Sequence, residues 1–189
     1  GFLGTPLISL TLTEYGMNDL AYMLLNRKEY PSWLYPVTMG ATTIWERWDG
    51  QKPDSTFQTP GMNSFNHYAY GAIGEWMYRV VAGLEIDPDE PGYRHVLIQP
   101  QPGGGISSAS ARLDTPFGEA ASAWTLLDED RLQVAATVPP NARGTVRLPN
   151  AALADVTEGD GPVASAAGVH KATQADGAVV VEVGSGEYR

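Results

Sequence analysis

The chain changes its periodicity once, at Asp87-Pro88-Asp89-Glu90-Pro91-Gly92, and no single layer of secondary structure accommodates both sides of that turn-rich segment. Before it, apolar residues recur at helical spacing. Beyond it come short alternating or β-branched runs at about ten-residue intervals, the pattern of a β-sandwich. The expected fold is α+β and multidomain, with helices in residues 1–86 and an antiparallel β-sandwich in residues 87–189. Strands are expected near 94–99, 107–114, 118–126, 131–138, 144–148 and 178–183. Thr115-Pro116-Phe117-Gly118 and Asp128-Glu129-Asp130 read as hairpin turns, whereas residues 150–176, rich in Ala and Gly, carry little pattern.

In the first part, Leu7, Leu10 and Glu14 followed by Tyr15-Gly16 read as a short helix closed by glycine. Asn18 then offers an N-cap for a second helix, Asp19 to Arg27, and Leu20, Met23, Leu24 and Arg27 follow the spacing of one buried side. Residues 28–62 form a long connection punctuated by Pro31, Pro36, Gly40, Gly50 and Pro53. Its three tryptophans, Trp33, Trp45 and Trp48, favour a functional loop. Ser64 is the expected cap of a third helix, with His67 in its first turn. Ala69, Ile73, Trp76, Met77 and Val80 form its apolar stripe and Gly83 its end.

Charge and composition exclude several partners. With 189 residues and 43% hydrophobic content the chain can bury a core. Its 12 basic and 22 acidic residues give a net charge of -10, so a surface that tracks phosphates is not expected and nucleic acid is excluded as a partner. The absence of cysteine removes disulfides and thiolate metal sites but leaves the compartment open. His67, His95 and His170 have no metal-ligand spacing, so no metal and no cofactor are expected. No run of about 18 apolar residues exists for a membrane span. The start at Gly1, straight into an apolar segment, reads as that of a fragment or processed product.

The stretch Gly40-Ala41-Thr42-Thr43-Ile44-Trp45-Glu46-Arg47-Trp48-Asp49-Gly50 sets one carboxylate between two indoles. Aromatic faces pack on the C–H face of a pyranose, and a carboxylate beside them can take a proton from water or bind hydroxyls. The same residues also fit a packed core with a solvated Glu46. A single histidine near a helix start, as His67 is, fits an ordinary hydrogen-bonded structural role as well.

Gly1-Phe2-Leu3-Gly4-Thr5-Pro6, Tyr30-Pro31-Ser32-Trp33, the Thr42-Thr43-Ile44-Trp45-Glu46 run, Ser64-Phe65-Asn66-His67-Tyr68-Ala69, Gly74-Glu75-Trp76 and Pro91-Gly92-Tyr93 occur in this order. Together they resemble the C-terminal part of a bacterial α-L-rhamnosidase of glycoside hydrolase family 78. The resemblance is dense over residues 1–100 and thin over the last forty. It implies the final helices of an (α/α)6 barrel followed by the sandwich, and release of terminal α-L-rhamnose with inversion. It also implies that Glu46 is the general base and that His67 contacts the sugar. Trp45 or Trp48 would wall the rhamnose ring, and Arg47 can favour the ionised form of Glu46.

The family's general acid lies upstream of anything present here. The resemblance therefore implies a fragment, inactive alone, whose partners are a rhamnose-containing glycoside and the remainder of the barrel. Three helices cannot close such a ring, so an exposed apolar patch is expected. Among acids within the chain, Asp49 follows Glu46 too closely to face it across a sugar. Glu75 stands roughly 12 Å along a helix from His67 and reads as structural. A competing reading is a carbohydrate-binding or structural accessory module, with Tyr93, Phe117, Trp124 and Tyr188 as the sandwich's candidate platforms.

Overall fold

The computed structural model describes residues 1–128 and 130–189, so Glu129 of the expected second turn lies outside the described residues. The chain divides into two compact units, Gly1–Trp76 and Met77–Arg189.

In the first unit, helices α1 (Thr5–Glu14) and α2 (Asn18–Asn26) form a helical hairpin. Gly16, at φ 72°, closes α1: its N–H reaches the Thr13 carbonyl, and the Met17 N–H reaches that of Leu12. These two bonds make a Schellman motif, which needs a left-handed residue where glycine stands. Met17, not Asn18, occupies the N-cap of α2, without a side-chain cap.

The buried side of α2 also differs from the expected one. Ala21 and Tyr22 are buried, whereas Leu20 and Met23 are 41% and 55% exposed. The reason is Trp76, whose indole takes the edge of Tyr22 at 5.0 Å between centroids and donates from Nε1 to Thr13 Oγ1 at 2.8 Å. That large ring selects the neighbouring face of the helix. Its burial pushes the Tyr22 phenol up to about 12.

The long connection contains only a short helix, α3 (Leu34–Thr38), and a 3-10 turn at Pro60–Met62. Aromatic rings hold it instead. Trp48 stacks on Tyr70 at 3.7 Å, Trp33 meets Trp48 edge-on at 5.3 Å, and Trp33 Nε1 donates to the Tyr70 carbonyl. The third helix begins at Ala69, later than expected. It is a 3-10 turn at Ala69–Ala72 followed by one α-turn, α4 (Ile73–Trp76). Ser64 does not cap it, because its hydroxyl accepts the Asn66 N–H in a local turn that competes with helix.

The second unit opens with a π-helical turn, Met77–Val81, and Gly83 ends it at φ 79° as expected. Among the described residues eleven strands follow: β1 (Leu84–Ile86), β2 (His95–Ile98), β3 (Ser108–Thr115), β4 (Gly118–Leu126), β5 (Leu132–Val138), β6 (Arg143–Pro149), β7 (Thr157–Glu158), β8 (Gly161–Pro162), β9 (Val169–Ala175), β10 (Ala178–Val183) and β11 (Gly186–Tyr188). They form a sheet ordered β1-β2-β6-β10-β9, a second ordered β11-β5-β4-β3, and the small pair β7-β8. All six expected strands are present. One pair, β2 with β6, runs parallel rather than antiparallel, since the chain crosses into the other sheet through β3, β4 and β5 before returning. The turn at 87–92 therefore joins two strands of one sheet, β1 and β2.

Alternation builds the sandwich core. Ala120, Ser122 and Trp124 of β4 are buried, as are Val179, Val181 and Val183 of β10. Burial of each valine contributes roughly 1.5–3 kcal/mol. Trp124 is core, with Nε1 donating to the Val81 carbonyl at 2.7 Å, and Ser122 Oγ donates to the Ala82 carbonyl at 2.6 Å. No helix among the described residues is long and apolar enough to cross a membrane.

Candidate active site

Glu46 and His67 lie on two segments that hydrogen-bond to each other directly. The Glu46 N–H donates to the Ser64 carbonyl at 2.8 Å, and the His67 N–H donates to the Ile44 carbonyl at 2.8 Å. Thr43 Oγ1 donates to the Phe65 carbonyl. The Ser64 N–H returns to the Glu46 side chain, reaching Oε2 at 2.7 Å. Both side chains are partly exposed, so the carboxylate is not sealed in a dry interior.

His67 is held on two sides. Its ring stacks on Phe2 at 5.1 Å and on Tyr68 at 5.4 Å, and Nδ1 accepts the Ala69 N–H at 3.3 Å. A ring nitrogen that accepts carries no proton, which leaves Nε2–H as the ring's donor.

The indoles behave differently from each other. Trp45 is 6% exposed and packed edge-on to Phe65, so in this chain it braces the loop instead of offering a face to a sugar. Trp48 remains half-buried, one face covered by Tyr70. Arg47 does not pair with Glu46, because Asp49 takes its Nε at 3.4 Å. Asp49 also accepts from Gln58 Nε2 at 2.5 Å, which makes it part of the loop's own bonding.

The other acids are occupied or remote in role. The Thr56 hydroxyl, followed by its N–H, holds the Asp54 carboxyl below the ordinary range, which suits an ionised cap rather than a proton donor. Glu75 is exposed, not buried. A cavity of about 480 Å3 in this unit is lined by Tyr30, Tyr35, Asp49, Lys52, Pro53, Asp54 and Gln58, without Glu46 or His67.

Sequence reasoning missed the backbone groups of residues 64–67, since no residue type announces a main-chain donor. It also missed Asn63. Its Nδ2 donates to the Gly50 carbonyl at 3.0 Å, pinning the segment that carries Ser64 to the loop that carries Glu46. Gly50 is required there, because a Cβ would lie 2.8 Å from Asn63 Oδ1 and 3.3 Å from both Phe65 and Trp45.

In the sandwich, Asp87, Glu90 and His95 bring their ligand-type atoms within 4.8 Å of one another. Protein groups satisfy them. His95 Nδ1 meets Asp87 Oδ2 at 2.6 Å and Nε2 meets Thr145 Oγ1 at 2.8 Å, while Arg143 pairs with Glu90. The Asp89 N–H, with help from His95, holds the Asp87 carboxyl below its ordinary range. This network ties the 87–92 turn to β6. Two of the sandwich's candidate aromatics have partners of their own. Phe117 lies under the Arg94 guanidinium, and the Tyr188 hydroxyl bonds the Gly168 and Gly184 carbonyls.

Comparison with known proteins agrees over both units. The bacterial alpha-L-rhamnosidase 6 hairpin glycosidase domain matches residues 1–81, and the bacterial alpha-L-rhamnosidase C-terminal domain matches residues 83–161. The chain is 44% identical over its whole length to an alpha-L-rhamnosidase of Streptomyces avermitilis, and 50% identical over 149 residues, 79% of its length, to one of Formosa agariphila. It spans 17% and 16% of those two proteins. The crystal structure of the Streptomyces avermitilis alpha-L-rhamnosidase complexed with L-rhamnose superposes on all of this chain with a TM-score of 0.88 and 42% identity, 17% of that chain being covered. That of the native Aspergillus terreus enzyme superposes on 99% of the chain, with a TM-score of 0.82, 39% identity and 18% of its own length covered. Six-hairpin glycosidase helices followed by a sandwich-like sheet region define the architecture of a glycoside hydrolase. The chain belongs to the bacterial α-L-rhamnosidase family.

Proposed function

We propose that this chain carries the general base of a glycoside hydrolase that releases terminal α-L-rhamnose with inversion. The observation that carries the reading is the hydrogen-bonded pairing of the segments that bear Glu46 and His67, whose side chains are both partly exposed. Glu46 takes a proton from water as the water oxygen bonds to the anomeric carbon. The glycosidic C–O bond breaks on the opposite face, and a carboxylic acid from the rest of the barrel protonates the departing oxygen. Inversion needs the two carboxyls roughly 6.5–9.5 Å apart so that water fits between them. His67 Nε2–H donates to a sugar oxygen, and Trp48 walls the ring.

The exposed apolar side chains of the first unit support a role within a larger barrel. Leu3 is 91% exposed, Leu7 61% and Met23 55%, and such a surface is the kind that the remaining hairpins would cover. The domain organisation that goes with this reading is a barrel part followed by a sandwich domain. The accessory-module reading has less support, since Trp124 is core.

The test is stereochemical and uses the full-length protein. Proton NMR of a p-nitrophenyl α-L-rhamnoside digest should show the β-anomer of rhamnose first; first appearance of the α-anomer would overturn inversion. Replacing His67 with Ala should raise KM by up to about tenfold, the worth of one hydrogen bond, with a smaller change in kcat. An unchanged KM removes His67 from the sugar.

A further inference from the structure

We infer that Ser64 is a positioning residue for the general base, acting through its main-chain N–H. The inference rests on the assignment of Glu46 above and adds which oxygen does the chemistry. Ser64 and Glu46 close a ring of two hydrogen bonds, Glu46 N–H to the Ser64 carbonyl at 2.8 Å and Ser64 N–H to Glu46 Oε2 at 2.7 Å. One bond fixes the backbone of the glutamate; the other fixes its side chain. A free glutamate side chain samples several rotamers about three bonds, and a carboxylate that must meet one water at one angle gains from being restricted to a single rotamer. Short bonds between an N–H and a carboxylate are among the stronger protein hydrogen bonds.

The ring also makes the two oxygens unequal. Oε2 receives the Ser64 N–H, so Oε1 is the oxygen that accepts the proton of the attacking water. Ser64 is itself fixed from behind. Its hydroxyl accepts the Asn66 N–H at 3.2 Å, and its neighbour Asn63 donates to the Gly50 carbonyl at 3.0 Å. His67, three residues on in the same segment, then serves as an internal reporter. If that segment moved as a whole, the sugar contact would move with it.

The experiment replaces the Ser64 amide by an ester, introducing the matching α-hydroxy acid at position 64 of the full-length enzyme by nonsense suppression. The N–H is removed while every side chain is kept. A charge-assisted bond of this kind corresponds to a fall in kcat of about tenfold to a hundredfold, and KM should stay within about twofold because His67 keeps its place. Unchanged kcat in the ester enzyme overturns the inference, and so does a fall in kcat accompanied by an equal rise in KM, which marks a displaced segment. The reading of Glu46 as base is judged separately by Glu46→Gln: an inactive Gln variant beside an unaffected ester variant removes Ser64 and leaves Glu46 in place.

Discussion

Glu46→Gln in the full-length enzyme is expected to lower kcat by about a thousandfold, within the range that a positioned general base contributes. The amide is nearly the size of the carboxylate, so the loop between residues 40 and 50 should keep its packing. The Ser64 N–H can still be accepted by the amide oxygen, so the 2.7 Å bond that orients the side chain survives. Only the ability to take a proton from water is gone. KM for an aryl rhamnoside should therefore change little, since the sugar contact assigned to His67 and the wall assigned to Trp48 are untouched. Steady-state kinetics on purified protein decide the matter, and turnover near that of the parent enzyme would take Glu46 out of the mechanism.

The largest expected effect on stability lies elsewhere, at Gly83→Ala. Gly83 sits at φ 79°, and a Cβ there would fall 2.2 Å from the Pro100 nitrogen, 2.5 Å from its Cα and 2.7 Å from the Gln99 carbonyl carbon. All three are backbone atoms of the segment that follows β2, held by the Gln99 N–H bond to the Gly83 carbonyl at 2.8 Å. None can swing aside as a flexible side chain does. The left-handed conformation alone costs an alanine about 1–2 kcal/mol, and forcing apart packed backbone adds about 1–3 kcal/mol. Gly92→Ala separates the two contributions. Gly92 has φ 91° but nothing within 4 Å of its would-be Cβ, so it should show only the first cost. Chemical denaturation followed by tryptophan fluorescence should place Gly83→Ala well below Gly92→Ala. Equal midpoints would mean that the 83–100 contact is easily relaxed.

Much of this architecture was readable from residue order. Gly16 and Gly83 terminate helices because left-handed backbone suits glycine, and that preference is local. The six strands expected beyond residue 93 are present because period-two alternation survives wherever one sheet face is buried. What failed depended on partners distant in sequence. Leu20 and Met23 looked like the buried side of α2 until Trp76, far along the chain, took up Ala21 and Tyr22 instead. Strand β9 escaped notice because it is an edge strand, mostly exposed or half-buried, so Val169–Ala175 shows no clean alternation. The third helix begins late because the Ser64 hydroxyl is committed to the Asn66 N–H in a local turn.

The site shows the same division. Glu46 and His67 stood out as chemistry-bearing residues within motifs, and the pairing of their segments gives that reading its geometric support. The role of Trp45 did not stand out. An indole beside a carboxylate reads as a sugar platform, and only the contact with Phe65 shows that its surface is used to build the loop. Arg47 was misjudged for a similar reason. Arg47 and Asp49 share one turn, closed by the Gly50 N–H bond to the Arg47 carbonyl, and Asp49 is the carboxylate that the guanidinium reaches.

The mutual grip of positions 46 and 64 has one more result. The stretch from 47 to 63 leaves and re-enters at the paired residues 46 and 64, and further along it is held by Tyr70 at Trp48, by Asn63 at Gly50 and by Tyr35 at Gln51. Residues 52–57 form a tip beyond these fastenings, closed on itself by the Lys52 N–H bond to the Thr56 carbonyl. Natural variation, or a protein engineer, can reshape that tip while the Ser64 N–H keeps its hold on the Glu46 side chain.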